Sequence, residues 1–284
     1  MAARQSPGFA GSYFRGRSVL VTGASSGIGH DVALAFGEQG ANVTLLARRT
    51  APMEEFAGSI IKAGGKALAL QCDVTDRARV LWAAEQARDA FGAIDILVNS
   101  AGVLIASPVE QLAPEDLERM MATNLFGALY AMQAVLPIMR RKGAGNIVNV
   151  ASLAGRRGIS PLGGYSATKF ALVGLTEALR VELFSTGIQV SLVMPGIIDT
   201  PMARDAQQSE TLAGVPLFAM PARWVTWAVL AAAAFGLTEV DVPPGAAVAE
   251  KLAALFPGMT DALLSMGERL LRSASALTGA KPKH

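Results

Sequence analysis

The sequence predicts an α/β protein built on a doubly wound parallel sheet, and three observations carry that expectation. Short β-branched runs alternate with longer segments whose apolar residues recur at three and four positions. The strand-like runs are almost continuously apolar, as in Ile94-Asp95-Ile96-Leu97-Val98, which suits strands covered by helices on both faces. The first run leads directly into a glycine-rich turn that opens a helical pattern. Such alternation implies right-handed βαβ units.

Strands are expected at Ser18 to Val21, Asn42 to Leu46, Lys66 to Gln71, Ile94 to Val98, Asn146 to Val150 and Gln189 to Val193, with a seventh at Glu239 to Val242. Helical periodicity covers Ile28 to Gln39, Asp76 to Phe91, Glu115 to Arg140 and Tyr165 to Ser185. The longest apolar run, Val225 to Leu237, is interrupted by Thr226 and Gly236. It falls short of the roughly 20 residues of a membrane span and reads as a buried helix. Beyond Pro243-Pro244, Leu252, Leu255, Phe256, Met259, Leu263, Leu264, Leu270 and Leu271 recur at roughly helical spacing, and Pro257-Gly258 divides them into two amphipathic helices.

Composition excludes several function classes. The 284 residues are 51% apolar, enough for one large core. The 25 basic and 23 acidic residues are dispersed and leave a net charge of +2, so no footprint for nucleic acid is present. Cys72 is the single cysteine, and His30 and His284 are the only histidines, which leaves neither a disulfide framework nor a zinc-ligand cluster. Residues 1 to 17 contain no uninterrupted apolar stretch of the signal-peptide kind. The expectation is a metal-free, cytoplasmic protein whose partner is a small molecule.

The turn after the first strand reads Thr22-Gly23-Ala24-Ser25-Ser26-Gly27-Ile28-Gly29. Glycines let the backbone turn tightly and approach a pyrophosphate, and the unpaired N–H groups of a helix start favour its charge. The spacing is Gly-x3-Gly-x-Gly, not the commoner Gly-x-Gly-x2-Gly. Gly23, Ser25, Ser26, Gly27, Ile28 and Gly29 are therefore candidate cofactor residues. An acidic side chain at the end of the second strand would bind the 2′-hydroxyl of NAD, but the sequence offers Ala47-Arg48-Arg49. Guanidinium groups there accommodate a 2′-phosphate, so Arg48 and Arg49 point to NADP(H); the plain alternative is two solvated arginines at a helix start.

After the fifth strand come Ser152 and then Tyr165-Ser166-Ala167-Thr168-Lys169. Residues four apart share a helix face, so the Lys169 ammonium is expected beside the Tyr165 phenol or a bound ribose. A free tyrosine has a pKa of about 10, and a neighbouring cation would bring it toward neutral pH, where it can exchange a proton. Ser152 would hold a carbonyl oxygen as charge develops on it. Alone, such a Tyr-Lys pair is usually a solvated helix face.

The ordered set of these features resembles the short-chain dehydrogenase/reductase family, in its single-domain branch, over about residues 14 to 242. The glycine turn is followed by Asp73-Val74 after the third strand, Asn99-Ser100-Ala101-Gly102 after the fourth, Asn124 within a helix, Ser152, Tyr165 and Lys169, and Pro195-Gly196-Ile197-Ile198-Asp199-Thr200 after the sixth. The resemblance implies a Rossmann-type sheet of about seven strands; the C-terminal helical extension departs from relatives that end soon after their seventh strand. The chain is accordingly expected to divide into a flexible 1–13, an NADP-binding catalytic domain over 14–242, and an extension of that domain over 243–284. The resemblance further implies that Asp73 hydrogen-bonds the adenine, with Val74 alongside. Asn99, Ala101 and Gly102 would line the ribose and nicotinamide side, and Pro195, Gly196, Ile198 and Thr200 would hold the nicotinamide amide, while Tyr165 and Lys169 contact the cofactor ribose. Asn124, Ser152, Tyr165 and Lys169 would be the catalytic set, Asn124 holding helix backbone so that a water relays protons to Lys169. Ser100 stands where the family has a second Asn.

The implied activity is NADP(H)-dependent hydride transfer to a carbonyl or from an alcohol. Leu104, Ile105, Leu153, Leu162, Met202, Leu217, Phe218 and Met220 suggest a pocket for a bulky hydrophobic ketone or alcohol of steroid, retinoid or lipid type. Arg156 and Arg157 could instead meet an anionic carrier-bound acyl group, as in a 3-oxoacyl-thioester reductase, or simply sit on a solvated turn. A non-catalytic NADP-binding regulator is the alternative of another class. The resemblance also implies a homodimer through the Glu115 to Arg140 and Tyr165 to Ser185 helices, with a tetramer as the higher state. The long tail is expected to cap the pocket or an interface; its mixed charges lack a strongly basic face, which makes membrane-surface contact the lesser expectation.

Overall fold

The computed structural model describes residues 13–62, 64–209, 211–212 and 219–266. Seven strands form one sheet, β1 (Ser18–Thr22), β2 (Asn42–Ala47), β3 (Lys66–Gln71), β4 (Ile96–Asn99), β5 (Gly145–Val150), β6 (Ile188–Pro195) and β7 (Glu239–Val242). All neighbours pair in parallel, in the order β3-β2-β1-β4-β5-β6-β7. This is the doubly wound Rossmann-type arrangement that the alternating sequence predicts.

The helices are α1 (Gly27–Glu38), α2 (Thr50–Lys62), α3 (Arg77–Phe91), α4 (Pro114–Met121), α5 (Gly127–Lys142), α6 (Gly163–Glu182), α7 (Pro201–Gln207), α8 (Ala222–Phe235) and α9 (Ala246–Leu255). One apolar cluster, with Val32 and Phe36 of α1, Met53 of α2 and Val225 and Val229 of α8, covers one face of the sheet. A second cluster covers the other face through Val80 of α3, Met132 and Val135 of α5 and Leu179 of α6. Burial on both faces explains why the central strands carry so few polar side chains. The body of the fold is already engaged at its first described residues: Phe14 is fully buried edge-to-face against Phe36, and the Tyr13 hydroxyl donates to the Ala234 carbonyl.

Several boundaries differ from the sequence reading by one to three residues. The β4 strand starts at Ile96, two residues later than expected. The expected single helix from Glu115 to Arg140 is a helical rod over Pro114–Lys142 that contains a π-helical turn at Ala122–Phe126. A 3.6-residue pattern does not encode one widened turn, and such turns mark functional sites. By length and composition this rod could cross a membrane, but it lies against the sheet with Ala131, Met132, Val135 and Met139 buried.

The sheet order reverses between β1 and β4, and loops leaving those strands diverge to opposite faces. A crevice at the carboxyl ends of the strands follows from that topology.

Candidate active site

That crevice is a cleft of about 590 Å³. Its floor is the glycine turn. Gly23 and Gly27 have φ values of +71° and +59°, in the left-handed region that favours glycine. A Cβ at Gly23 would lie 2.7 Å from the Ala101 Cα, and one at Gly29 would lie 2.5 Å from the Gly23 carbonyl oxygen. The turn is thus packed against the loop after β4, whose Ser100 and Ala101 amides donate to the Thr22 hydroxyl at 3.1 and 3.2 Å.

The residues at the turn fit a pyrophosphate. Ser26 caps α1 from an extended conformation without a side-chain hydrogen bond, and the first turn of α1 holds no acidic residue. Its amide donors are therefore left for an anion, where the helix dipole also favours one. Gly23, Ser25, Ser26, Gly27, Ile28 and Gly29 all line the cleft, as do Arg48, Arg49, Asp73, Val74, Ala101, Gly102, Tyr165, Lys169 and Thr200. Arg48 and Arg49 are exposed at the end of β2, and Arg49 donates to the Ser25 hydroxyl at 3.4 Å, joining the arginine pair to the phosphate turn. Asp73 accepts from the Thr75 amide and hydroxyl at 3.0 and 2.8 Å, which fixes the loop at the far end of the cleft.

Four expected cofactor residues do not line the cleft: Asn99, Pro195, Gly196 and Ile198. Asn99 is buried, with its carboxamide donating to the Asn149 side chain at 2.9 Å. Asn149 in turn donates to the Thr176 hydroxyl at 2.9 Å, so the chain of polar groups ties β4, β5 and α6 together beneath the site. A strand alternates its side chains between faces, and that alternation sends Asn99 inward while its successors face the cleft. Gly196 lies instead under the apolar end of the site, where a Cβ would sit 3.3 Å from Met220 and 3.4 Å from Leu153. Of the other proposed pocket residues, Met202 lines the cleft, Leu104, Ile105 and Leu162 are half-buried, and Leu217 and Phe218 lie outside the described residues.

The proposed catalytic residues converge. Ser152 follows β5, and its hydroxyl donates to the Pro195 carbonyl at 3.2 Å and accepts from the Ala154 amide at 3.1 Å. Tyr165 and Lys169 lie in the first turns of α6, with the Lys169 Nζ 5.6 Å from the Tyr165 ring centroid. Lys169 is buried and donates to the Val150 carbonyl at 3.1 Å. Asn124 is buried within the π-helical turn; its carboxamide accepts from the Val103 amide at 2.8 Å and donates to the Val103 carbonyl and the Thr168 hydroxyl, both at 2.9 Å. It therefore fixes the cleft wall at Val103 and the turn of α6 that carries Lys169.

The electrostatics correct one expectation. The Lys169 cation does not govern the phenol: burial pushes Tyr165 up to about 12, and only the nearby Ser152 hydroxyl pulls the other way. Burial also lowers Lys169 to about 8. A dry pocket penalises whichever form is charged, so both groups lean toward neutrality, and the ammonium is held by a backbone carbonyl beside the ring.

Arg156 supplies a second correction. It neither faces a substrate nor lies on a solvated turn, because its guanidinium pairs with Glu239 and Asp241 of β7 and Glu250 of α9. Arg157 pairs with Asp261 in the helical residues 257–266. The break between the two tail helices falls at Phe256, with Pro257 opening the second. Sequence reasoning missed Arg119 and Thr123, which line the cleft from α4 and the π-helical turn. Their spacing of four and their closeness to Asn124 were the available signal.

Comparison with known proteins agrees with this geometry. The family described as short chain dehydrogenase matches residues 17–211. This chain belongs to the short-chain dehydrogenase family. A ketoacyl reductase, HetN, from Nostoc sp. is 37% identical over 202 residues, covering 70% of each chain. A sorbitol dehydrogenase from Cereibacter sphaeroides is 37% identical over 185 residues, covering 65% of this chain and 71% of its own. Among solved structures, a variant of the actinorhodin polyketide ketoreductase with NADPH aligns at a TM-score of 0.73 and 31% identity over 80% of this chain and 95% of its own. A short-chain dehydrogenase from Burkholderia phymatum in complex with NAD aligns at 0.78 and 24% identity, over 87% and 96% of the two chains, a likeness of fold. This short-chain dehydrogenase is accordingly an oxidoreductase that uses a nicotinamide cofactor on a small-molecule alcohol or carbonyl.

Proposed function

We propose that this short-chain dehydrogenase reduces a bulky hydrophobic ketone with NADPH, using Tyr165 as the general acid. The observation that carries the reading is a protonated, half-buried Tyr165 phenol under the influence of the Ser152 hydroxyl, lining a cleft that also holds Arg48 and Arg49, with no carboxylate at the end of β2. A bound nicotinamide would supply the hydride.

The chain's own residues do the rest. The Ser152 hydroxyl holds the carbonyl oxygen, and Tyr165 gives that oxygen its proton as the carbon becomes an alcohol carbon. A phenol that titrates near 12 is protonated at neutral pH, as a general acid must be. Lys169, titrating near 8, still carries a proton there and can return one to Tyr165. Asn124 positions Thr168 and Val103 around that pair. The guanidinium groups of Arg48 and Arg49 suit a 2′-phosphate, which supports NADPH over NADH. Met202 supplies an apolar side chain to the cleft wall, with Leu153 and Met220 beside Gly196 next to it.

A 3-oxoacyl thioester is the second reading, favoured by the names of the ketoacyl and polyketide reductases to which the chain is similar. Arg156 and Arg157 do not support it, since both are committed to carboxylates of the chain itself. Following NADPH oxidation over a panel of free hydrophobic ketones and acyl thioesters separates the readings. Turnover of free ketones is expected; turnover of thioesters alone selects the second reading, and none with any substrate despite tight NADPH binding favours a non-catalytic binder.

We also propose a homodimer through α5 and α6, supported by exposed Phe126, Phe170, Val181 and Phe184 on and beside those helices. A monomer mass by light scattering at micromolar protein would overturn it.

A further inference from the structure

One wall of the cleft has no task in the chemistry above. Arg119 of α4 and Thr123 of the π-helical turn line it from the Pro114–Lys142 rod, one turn apart. The Arg119 guanidinium is exposed, and among the described residues it takes part in no hydrogen bond or ion pair, although Glu115 and Asp116 stand about one turn before it on the same helix. The other charged side chains of the cleft are already placed: Arg48 and Arg49 at the end of β2, Asp73 against Thr75, and Lys169 on the Val150 carbonyl. A threonine inside a helix commonly returns its hydroxyl to a carbonyl of the preceding turn. Thr176 does so to Leu172 at 2.6 Å and Thr226 to Ala222 at 3.3 Å. Thr123 makes no such bond among the described residues, so its hydroxyl is left for a ligand.

We infer that Arg119 and Thr123 form the second side of the cofactor's pyrophosphate site, meeting the phosphates from across the cleft. The floor between this wall and the glycine turn is narrow. A Cβ at Gly23 would lie 2.7 Å from the Ala101 Cα, and one at Gly102 would lie 3.4 Å from the Asn124 Oδ1, so turn, loop and rod are consecutive neighbours. The residue after each of the pair shows which way the pair faces. Met120 reaches α6, where a Cβ at Gly164 would lie 2.8 Å from its Cε, and Asn124 donates to Thr168 of α6. Arg119 and Thr123 each sit one residue, roughly a quarter-turn, round the helix from those contacts. They therefore look away from the Tyr165 and Lys169 pair and toward the cofactor side of the cleft. The α1 amides meet a pyrophosphate from one side only and bring no cationic side chain to it. A guanidinium fork matches phosphate oxygens, and a hydroxyl one turn away adds a donor.

The inference rests on the family's nicotinamide cofactor and not on the choice of NADPH over NADH. ADP-ribose keeps the two apart, because it has the pyrophosphate but neither the 2′-phosphate nor the nicotinamide. The full chain is titrated with NADPH by fluorescence and with ADP-ribose by calorimetry, while the ligand-free melting temperature reports folding. Arg119→Gln should weaken both ligands by the same factor of about tenfold, the loss of a charge-assisted contact at an exposed site. Arg119→Lys, which keeps the charge without the fork, should fall between Gln and the original chain. Thr123→Val should weaken both by about threefold, the loss of one hydrogen bond. In stopped-flow mixing the Arg119→Gln loss should appear as faster release of NADPH, as a direct contact requires, and not merely as slower capture. Unchanged affinity, a loss confined to NADPH while ADP-ribose binds as before, a loss carried by association alone, or a defect seen only in the KM of an anionic substrate would each overturn it.

Discussion

The Tyr165 phenol and the Lys169 ammonium are each shifted toward neutrality by the same burial, and their titrations make separable predictions. Replacing Tyr165 with Phe removes the proton donor and leaves the ring, so turnover should fall by about 10²–10⁴-fold, the contribution typical of a positioned acid. NADPH affinity, measured by fluorescence titration, should stay nearly unchanged; retained turnover would exclude Tyr165 as the donor. The reductive rate should be flat through neutrality and decline above about 8, where Lys169 loses its proton and can no longer return one to Tyr165. The sign follows from the directions: Tyr165, raised to about 12, remains protonated throughout that range, so the limb belongs to Lys169. A pH–rate profile in saturating cofactor checks it, and a decline beginning near 10 would return control to an ordinary tyrosine.

Among the elements, β7 and α9 are joined to the catalytic loop by one side chain. The Arg156 guanidinium, 14% exposed, sits among Glu239, Asp241 and Glu250, and burial together with Asp241 already raises the Glu250 carboxyl against the pull of Arg156. Arg156→Ala leaves those carboxylates facing one another without a cation. Removing one partner from a largely buried ionic cluster costs on the order of 3 kcal/mol. Urea unfolding should show that loss at neutral pH and a smaller one in acid, where the raised Glu250 carboxyl takes up a proton. Equal stability at neutral pH would mean that the cluster is solvated and contributes nothing. The π-helical turn of the Pro114–Lys142 rod is the other element-scale device, since it seats Asn124 between Val103 and Thr168.

For the whole molecule, the cleft joins segments from both halves of the sheet, so cofactor binding is expected to stabilise the entire fold. A ligand at a hundred times its Kd adds about 2.7 kcal/mol to the folded state. The melting temperature should therefore climb with NADPH concentration, and the climb with NADH at equal concentration should be smaller because Arg48 and Arg49 gain no 2′-phosphate. Equal shifts would remove the arginine pair from cofactor selection. Two apolar layers on a parallel sheet account for the fold's dependence on continuous apolar strands, and the exposed apolar side chains of the tail helices lie beyond both layers.

Periodicity and local chemistry determined the strands, the glycine turn, the Tyr165 and Lys169 pair and the exposed Arg48 and Arg49, because each depends on residues within a few positions of one another. Even the helix break in the tail was legible, through Pro257. Contacts between distant segments were decided only by the tertiary structure. The carboxylates that claim Arg156 lie on β7 and α9, far along the chain, and no local pattern links them to the loop after Ser152. Asn99 turned inward because Asn149 and Thr176 wait beneath it, on a neighbouring strand and a helix. The phenol and ammonium titrate as they do because assembly removes water from both, and a sequence lists charges without their solvent. The tail shows the same limit: its helices were readable from their spacing, whereas which face is left uncovered depended on where Arg156 and Arg157 came to rest.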